Sequence, residues 1–235
     1  RNNNGGGRTY QERYRDNTTF IQDQVRDHER GGWSNSIRFG ADYLINKYNT
    51  LTGSFLYRKS DEDNFSTIIY KDFTGSTDFT DLQEITERTD NEMEDEKAIQ
   101  YSLNYKRTFE QEGQELTALL QFNDNVEVEG SDLRNQFFGM DNLPNGLPDV
   151  PQRSNNDEQQ KNLIGQLDYV QPFGEDGKFE AGLRTSFRDI DNDYLVEEFR
   201  SEQWVSLERL SNDFAYDEDI HAAYLIYGNK VGKVG

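Results

Sequence analysis

Cysteine is absent from the 235 residues, which excludes disulfide staples, thiolate zinc sites and cysteine nucleophiles. Long apolar runs are missing too: nothing approaches the ~18 residues that a membrane-spanning helix needs. Nor do Val, Ile and Leu cluster as in a buried parallel sheet. Positive charge is scarce, with 25 Lys and Arg against 45 Asp and Glu, and the net charge of -20 would repel nucleic-acid phosphate. The opening Arg1 to Gly7 carries no basic stretch followed by an apolar one, so a leader peptide is expected to be removed or to lie outside these residues. Hydrophobic residues make up only 33% and mean hydropathy is -1.00, yet 13 Tyr and 15 Phe give an aromatic load that acidic disordered chains lack. A membrane wall built of strands is compatible with this composition, because such strands turn apolar side chains to lipid and polar ones to a lumen.

The aromatic residues fall in two-residue alternation. Ile37, Phe39, Ala41, Tyr43 and Ile45 share one face of a strand, and beyond a turn at Asn46–Asn49 the pattern resumes with Leu51, Gly53, Phe55 and Tyr57. Ile99, Tyr101, Leu103 and Tyr105 lead into the polar turn Glu110–Gln114, and Leu116, Ala118, Leu120 and Phe122 lead out. Leu163, Gly165, Leu167 and Tyr169 lead to a turn over Pro172–Gly177, followed by Phe179, Ala181, Leu183 and Phe187. Ile220, Ala222, Tyr224 and Ile226 mark a final strand face. The pattern predicts an all-β, antiparallel up-and-down meander of about eight long strands, part of a transmembrane outer-membrane β-barrel.

Between the tight turns lie longer polar segments, roughly Ser60 to Asp95, Gly130 to Asp157 and Arg200 to Asn212, which read as long loops. Short periplasmic turns alternating with long external loops are the outer-membrane arrangement. Tyr43, Tyr48, Tyr105 and Tyr169 would then form the aromatic girdle on the short-turn side. A soluble secreted β-protein that binds carbohydrate or a protein partner also alternates apolar and polar residues. Against it stand the long element Lys178 to Phe199 and the asymmetry of the connections. A small closed barrel acting alone as an anchor or adhesin is a further alternative, and requires Thr18 to Val25 to pair with Ala222 to Tyr227.

Phe39-Gly40-Ala41-Asp42-Tyr43 with Asn49-Thr50-Leu51-Thr52-Gly53, Gly182-Leu183-Arg184 with Asp189-Ile190-Asp191-Asn192-Asp193-Tyr194, and His221-Ala222-Ala223-Tyr224 before Tyr227-Gly228 carry a resemblance. Over most of its length the chain resembles the outer-membrane β-barrel family of Bacteroidetes TonB-dependent receptors. The resemblance implies an energised nutrient importer in the outer membrane of a Gram-negative bacterium: a plug inside a barrel of about 22 strands, ligand-capturing loops, and a coupling segment that contacts TonB. Residues 1–235 are expected to be a single piece of barrel wall, cut at both ends, with no plug or coupling segment, so no binding residues of the family carry over. Outer-membrane lipid and lipopolysaccharide are the expected immediate partners, with the TonB system engaged through parts outside this chain. Catalysis is not expected.

Few residues suggest chemistry. Asp189, Asp191 and Asp193 share a strand face and could meet a hard cation such as calcium, although the glycine and distal glutamate of a calcium loop are missing and an acidic rim is the better reading. Asp90 to Glu96 is a dense acidic run in an expected outer loop, able to hold bridging divalent cations or simply to stay solvated. Phe137, Phe138, Leu143 and Leu147 surround the Pro-rich segment Asn142–Pro148 and offer a ligand- or partner-contacting loop, or one packed on itself. His28 and His221 have no partner motif, and no cofactor is implied.

Overall fold

The computed structural model describes residues 3–76, 81–174 and 177–229. Nine antiparallel strands follow one another in a single sheet: β1 (Asn3–Arg15), β2 (Thr18–Asn46), β3 (Asn49–Thr74), β4 (Leu82–Thr108), β5 (Glu115–Phe138), β6 (Val150–Phe173), β7 (Gly177–Arg200), β8 (Gln203–Ser206) and β9 (Asn212–Gly228). Each pairs with its predecessor, except that β8 and β9 both pair with β7, one beyond the other along its length. The expected meander is present, with nine strands among the described residues where the pattern predicts about eight.

Register turns the alternating residues into one continuous surface. Phe39 stands opposite Phe55, then Tyr101, Phe122, Leu163 and Phe187 in successive strands. The next row toward the short turns reads Ala41, Gly53, Leu103, Leu120 and Gly165, and the one after it Tyr43, Leu51, Tyr105, Ala118, Leu167 and Leu183. Between β2 and β9 this band drifts toward the short turns by about two rows, roughly 13 Å along the strands against roughly 29 Å across them. That slant, about 24°, is a tilt of the strands against the band, as in barrels, where it is commonly about 35–45°.

Among the described residues no second layer covers the band. Phe39 is 65% exposed, Tyr43 67% and Leu225 74%, while the buried hydrophobic side chains are only Ile21, Phe73, Leu82, Ile85 and Val196 among the described residues. A water-soluble sandwich would pack these rings between two sheets; lipid satisfies them without a partner layer. Aromatic side chains gather at the short turns: Phe173, Phe179 and Tyr227 form a cluster, Phe109 meets Tyr169 edge-on, and the Tyr105 hydroxyl donates to Asn49 Oδ1 at 2.5 Å. Tyr43, Tyr105 and Tyr169 thus lie on the apolar face near this end, and Tyr48 lies in the turn itself.

Three expectations are corrected by the sheet. The segment Ser60 to Asp95 is mostly strand, since β3 runs to Thr74 and β4 starts at Leu82; likewise β5 continues to Phe138 and β6 starts at Val150. Asp90 to Glu96 is therefore strand, its residues alternating between the two faces, not a loop. On β9 the apolar residues that continue the band are Ala223, Leu225 and Tyr227, opposite Leu183, Ala181 and Phe179, whereas Ile220, Ala222, Tyr224 and Ile226 face the other side opposite Ser186, Arg184, Gly182 and Glu180. Tyr224 there lies over Gly182, where an added Cβ would come within 2.1 Å of its ring, and its hydroxyl donates to Asp168 Oδ1 at 2.8 Å on β6. Finally, Thr18 to Val25 pairs with β1 and β3 and not with β9, so the small eight-stranded closure does not form.

Above the band the strands extend a further 15 or so residues, roughly 50 Å. Ion pairs bridge neighbouring strands there, including Arg8–Asp23, Lys59–Asp95 and Arg153–Glu197, and Arg153 also lies 4.4 Å from the Trp204 ring centroid. A small apolar cluster of Ile21, Phe73, Leu82 and Ile85, flanked by Ile69 and Phe138, fastens the tips of β2 to β5.

Candidate functional site

The face opposite the band is mostly polar on β3 to β7 and apolar on β9, where it carries Ile220, Ala222, Tyr224 and Ile226. Within the membrane-spanning part it carries Ser54 and Ser102, whose hydroxyls meet at 2.6 Å, with Gln100 and Gln121 beside them. A barrel directs such a face to its lumen.

Next above lies a lattice of carboxylates. Strand register sets Glu62 opposite Glu94 and Glu94 opposite Glu129, and in the adjoining row Glu96 opposite Glu127 and Glu127 opposite Glu158. Like charges directly across strands oppose pairing. Two arginines offset part of this: Arg30 pairs with Glu62 and Arg58 with Glu96, while Ser60 Oγ donates to Glu96 Oε2 at 3.1 Å and Ser131 Oγ to Asp90 Oδ1 at 2.5 Å. The carboxyls of Glu94, Glu127 and Glu129, all beyond the membrane-spanning part, are held above their ordinary range, first by partial burial and then by the neighbouring carboxylates. A cleft of about 690 Å³ opens along this lattice between Gly32–Ser34 and the Glu94–Glu96 segment.

Nearer the tips a second cleft of about 390 Å³ opens on the same face, with Gln22 on β2, Tyr70 and Asp72 on β3, Thr86 and Arg88 on β4, and Asn135 and Phe137 on β5. Arg88 Nε donates to Asn135 Oδ1 at 2.9 Å, its guanidinium lies 5.8 Å from the Tyr70 ring centroid, and Gln22 Nε2 donates to Asp72 Oδ1 at 2.9 Å. Two aromatic rings beside hydrogen-bonding side chains suit recognition of a small polar molecule. Of these residues only Phe137 stood out in the sequence, because Arg88, Tyr70 and Asn135 converge solely through strand register.

Phe138, on the opposite face from Phe137, packs against the tip cluster and bridges to Pro144. The loop between β5 and β6 is hydrogen-bonded to itself, with Gly139 N donating to Leu143 O and Asn145 N to Phe137 O, and it leaves Leu143 62% and Leu147 54% exposed. Asp189, Asp191 and Asp193 sit on the band's face of β7, above Phe187, opposite Lys161, Gln159 and Asp157 on β6 and Asp217, Ala215 and Asp213 on β9. Among the described residues no three His, Asp or Glu side chains are placed to hold a metal ion.

A comparison with curated proteins finds no match. Among solved structures, Pseudomonas aeruginosa OccK3 (OpdO) aligns at 8% identity over 89% of this chain and 79% of that one, with a TM-score of 0.13. A Salmonella typhi OmpF complex with daunomycin aligns at 9% identity over 96% of each chain, with a TM-score of 0.10. Scores this low carry no argument about shape or function. The informative match is to a family model, that of the outer membrane protein beta-barrel family, over residues 107–235. It spans more than half of the chain and covers β5 to β9, part of the run of strands that carries the lipid-facing band. The chain is a membrane-barrel wall and belongs to the outer membrane protein beta-barrel family.

Proposed function

We propose that this wall is part of a TonB-dependent outer-membrane receptor that imports a nutrient ligand, its polar face lining the ligand's path. One observation carries the reading: the strands continue some 50 Å past the lipid band and carry clefts there lined by charged, amide and aromatic side chains. A passive anchor has no use for such a vestibule. Supporting it, the membrane-spanning half of β2, Gly31–Asn46, has no neighbour on its outer edge among the described residues, and neither does β9. Open edges are not tolerated in lipid, so a closed wall needs a partner for each of these edges, and added strands would widen the barrel toward one that holds a plug. Arg88, Tyr70, Asn135 and Phe137 would contact the ligand at the outer mouth, and the glutamate lattice would lie along its descent.

The test uses the full-length protein extracted in mild detergent and passed over the immobilised periplasmic domain of TonB. Specific capture of a heat-modifiable band is the expected result. A folded, heat-modifiable protein that is not captured and instead conducts ions steadily in planar bilayers would sink the receptor reading and leave a passive pore.

A further inference from the structure

The lipid-facing band is not level. Where Gly53 stands between Ala41 and Leu103, a groove of about 470 Å³ is sunk into it, walled by Phe39, Phe55, Tyr101 and Phe122. An added Cβ at Gly53 meets nothing within 4 Å, so this floor is open space rather than packed surface. Directly above, one row past Tyr57 and Ile99, register places Lys59 opposite Lys97 on the same face. Lys59 Nζ pairs with Asp95 at 3.0 Å, while exposed Lys97 has no ion-pair partner among the described residues. Asn35 and Val126 flank the two lysines in that row, and the nearest carboxylates are Asp124 one row below and Asp61 and Asp95 one row above. Lys59 stands four residues beyond Phe55, about 13 Å along the strand.

We propose that this groove and the lysine pair above it form a binding site for the lipid A part of lipopolysaccharide, one acyl chain lying over Gly53 between the aromatic walls and a phosphate meeting Lys59 and Lys97. Three features select that occupant. The groove is continuous with the face that meets the bilayer, so its guest is a hydrocarbon chain. Two like charges held side by side at the edge of the apolar band are complementary to an anion at headgroup depth. The lysines lie on the side away from the short turns, which is the external leaflet, where the phosphate-bearing lipid is lipid A rather than a phospholipid. A second copy of this wall would bring its own lysine row against this one. The proposal rests on placement in the outer membrane and not on energised import, so failure of TonB capture leaves it untouched.

Full-length protein, delipidated in non-ionic detergent, is titrated with bisphosphorylated lipid A and separately with phosphatidylglycerol, and bound lipid is counted by native mass spectrometry. Wild type is expected to retain one lipid A at least tenfold more tightly than phosphatidylglycerol. Gly53→Phe, which fills the groove, and the double variant Lys59→Gln/Lys97→Gln, which leaves it open, should each weaken lipid A about tenfold while keeping heat-modifiable migration. Because the lysine variant touches only partly or fully exposed side chains, it reads out even where Gly53→Phe does not fold. Equal lipid A binding by the wild type and the lysine variant overturns the site, as does equal binding of the two lipids. A dimer that Gly53→Phe abolishes overturns it in favour of a protein occupant.

Discussion

The same strands live in two solvents, and their two halves are stabilised by different means. Between Ile99 and Tyr105, β4 puts an apolar side chain outward at every second position; between Asp90 and Lys97 the same face carries Asn91, Met93, Asp95 and Lys97. The lower half needs no side-chain partner because lipid surrounds it, and hydrogen bonds between strands satisfy the backbone. The upper half stands in water and relies on strand-to-strand ion pairs and one apolar cluster at the tips. Substitutions that are equivalent on paper therefore separate widely. Leu103→Arg, in the middle of the band, should destabilise the full-length barrel by about 2–4 kcal/mol in denaturant unfolding from lipid vesicles. Met93→Arg, ten residues along the same face and already 53% exposed, should stay within about 0.5 kcal/mol. Similar losses at both positions would mean that the band is not the membrane face.

Charge sharpens the contrast on the luminal side. Glu94, Glu127 and Glu129 have carboxyl pKa values raised in the folded wall, chiefly by burial and then by one another. Between the unfolded value near 4.5 and the raised folded value, the native state binds more protons than the unfolded one, so stability falls as pH rises through that window. Above it the penalty is complete. Amide protection in the upper halves of β4 and β5, taken relative to the intrinsic exchange rate at each pH, should consequently be higher at pH 4.5 than at pH 7, with protection in the lower halves unchanged. Glu127→Gln, which removes the charge opposite both Glu96 and Glu158, should slow exchange at pH 7 by an amount on the order of 0.5 kcal/mol and flatten the pH dependence. An upper half whose protection instead rises with pH would show the carboxylates to be net stabilising, as part of a salt-bridge lattice with Arg30 and Arg58.

Legibility in the sequence follows the same divide. The lower halves could be read because lipid on one face and lumen on the other impose a strict two-residue period, visible in Leu51-Gly53-Phe55-Tyr57 without any knowledge of neighbours. In the upper halves both faces meet water, the period vanishes, and Ser60 to Asp95 resembled a loop although it is almost all strand; Lys59–Asp95 and Arg58–Glu96 become visible only when register is known. The phase of β9 was hidden for the opposite reason. Ala222 to Tyr227 is apolar on both faces, and only pairing of Leu225 with Ala181 decides which residues meet lipid. The mouth cleft assembles from four strands, so nothing local announced Arg88 or Asn135.

Two external turns put this distinction at its finest scale. Asp16–Asn17 joins β1 to β2 and Ser201–Glu202 joins β7 to β8, and all four residues have positive φ, between 48° and 64°. Asp and Asn tolerate this left-handed region, whereas Ser and Glu do so less readily, and neither turn is read from the sequence. Holding a side chain other than Asn, Asp or Gly there costs about 1 kcal/mol or more. Glycine removes that strain but adds freedom to the unfolded chain, opposing the gain by roughly 0.4–1 kcal/mol. Glu202→Gly should therefore stabilise the β7–β8 hairpin by a few tenths of a kcal/mol, seen as slower exchange of the Trp204 and Phe199 amides. Asn17→Gly should leave β1–β2 unchanged or slightly looser, since the strain to be relieved is small while the entropy term is the same. Equal effects at the two turns would mean that glycine's freedom, not side-chain strain, governs both.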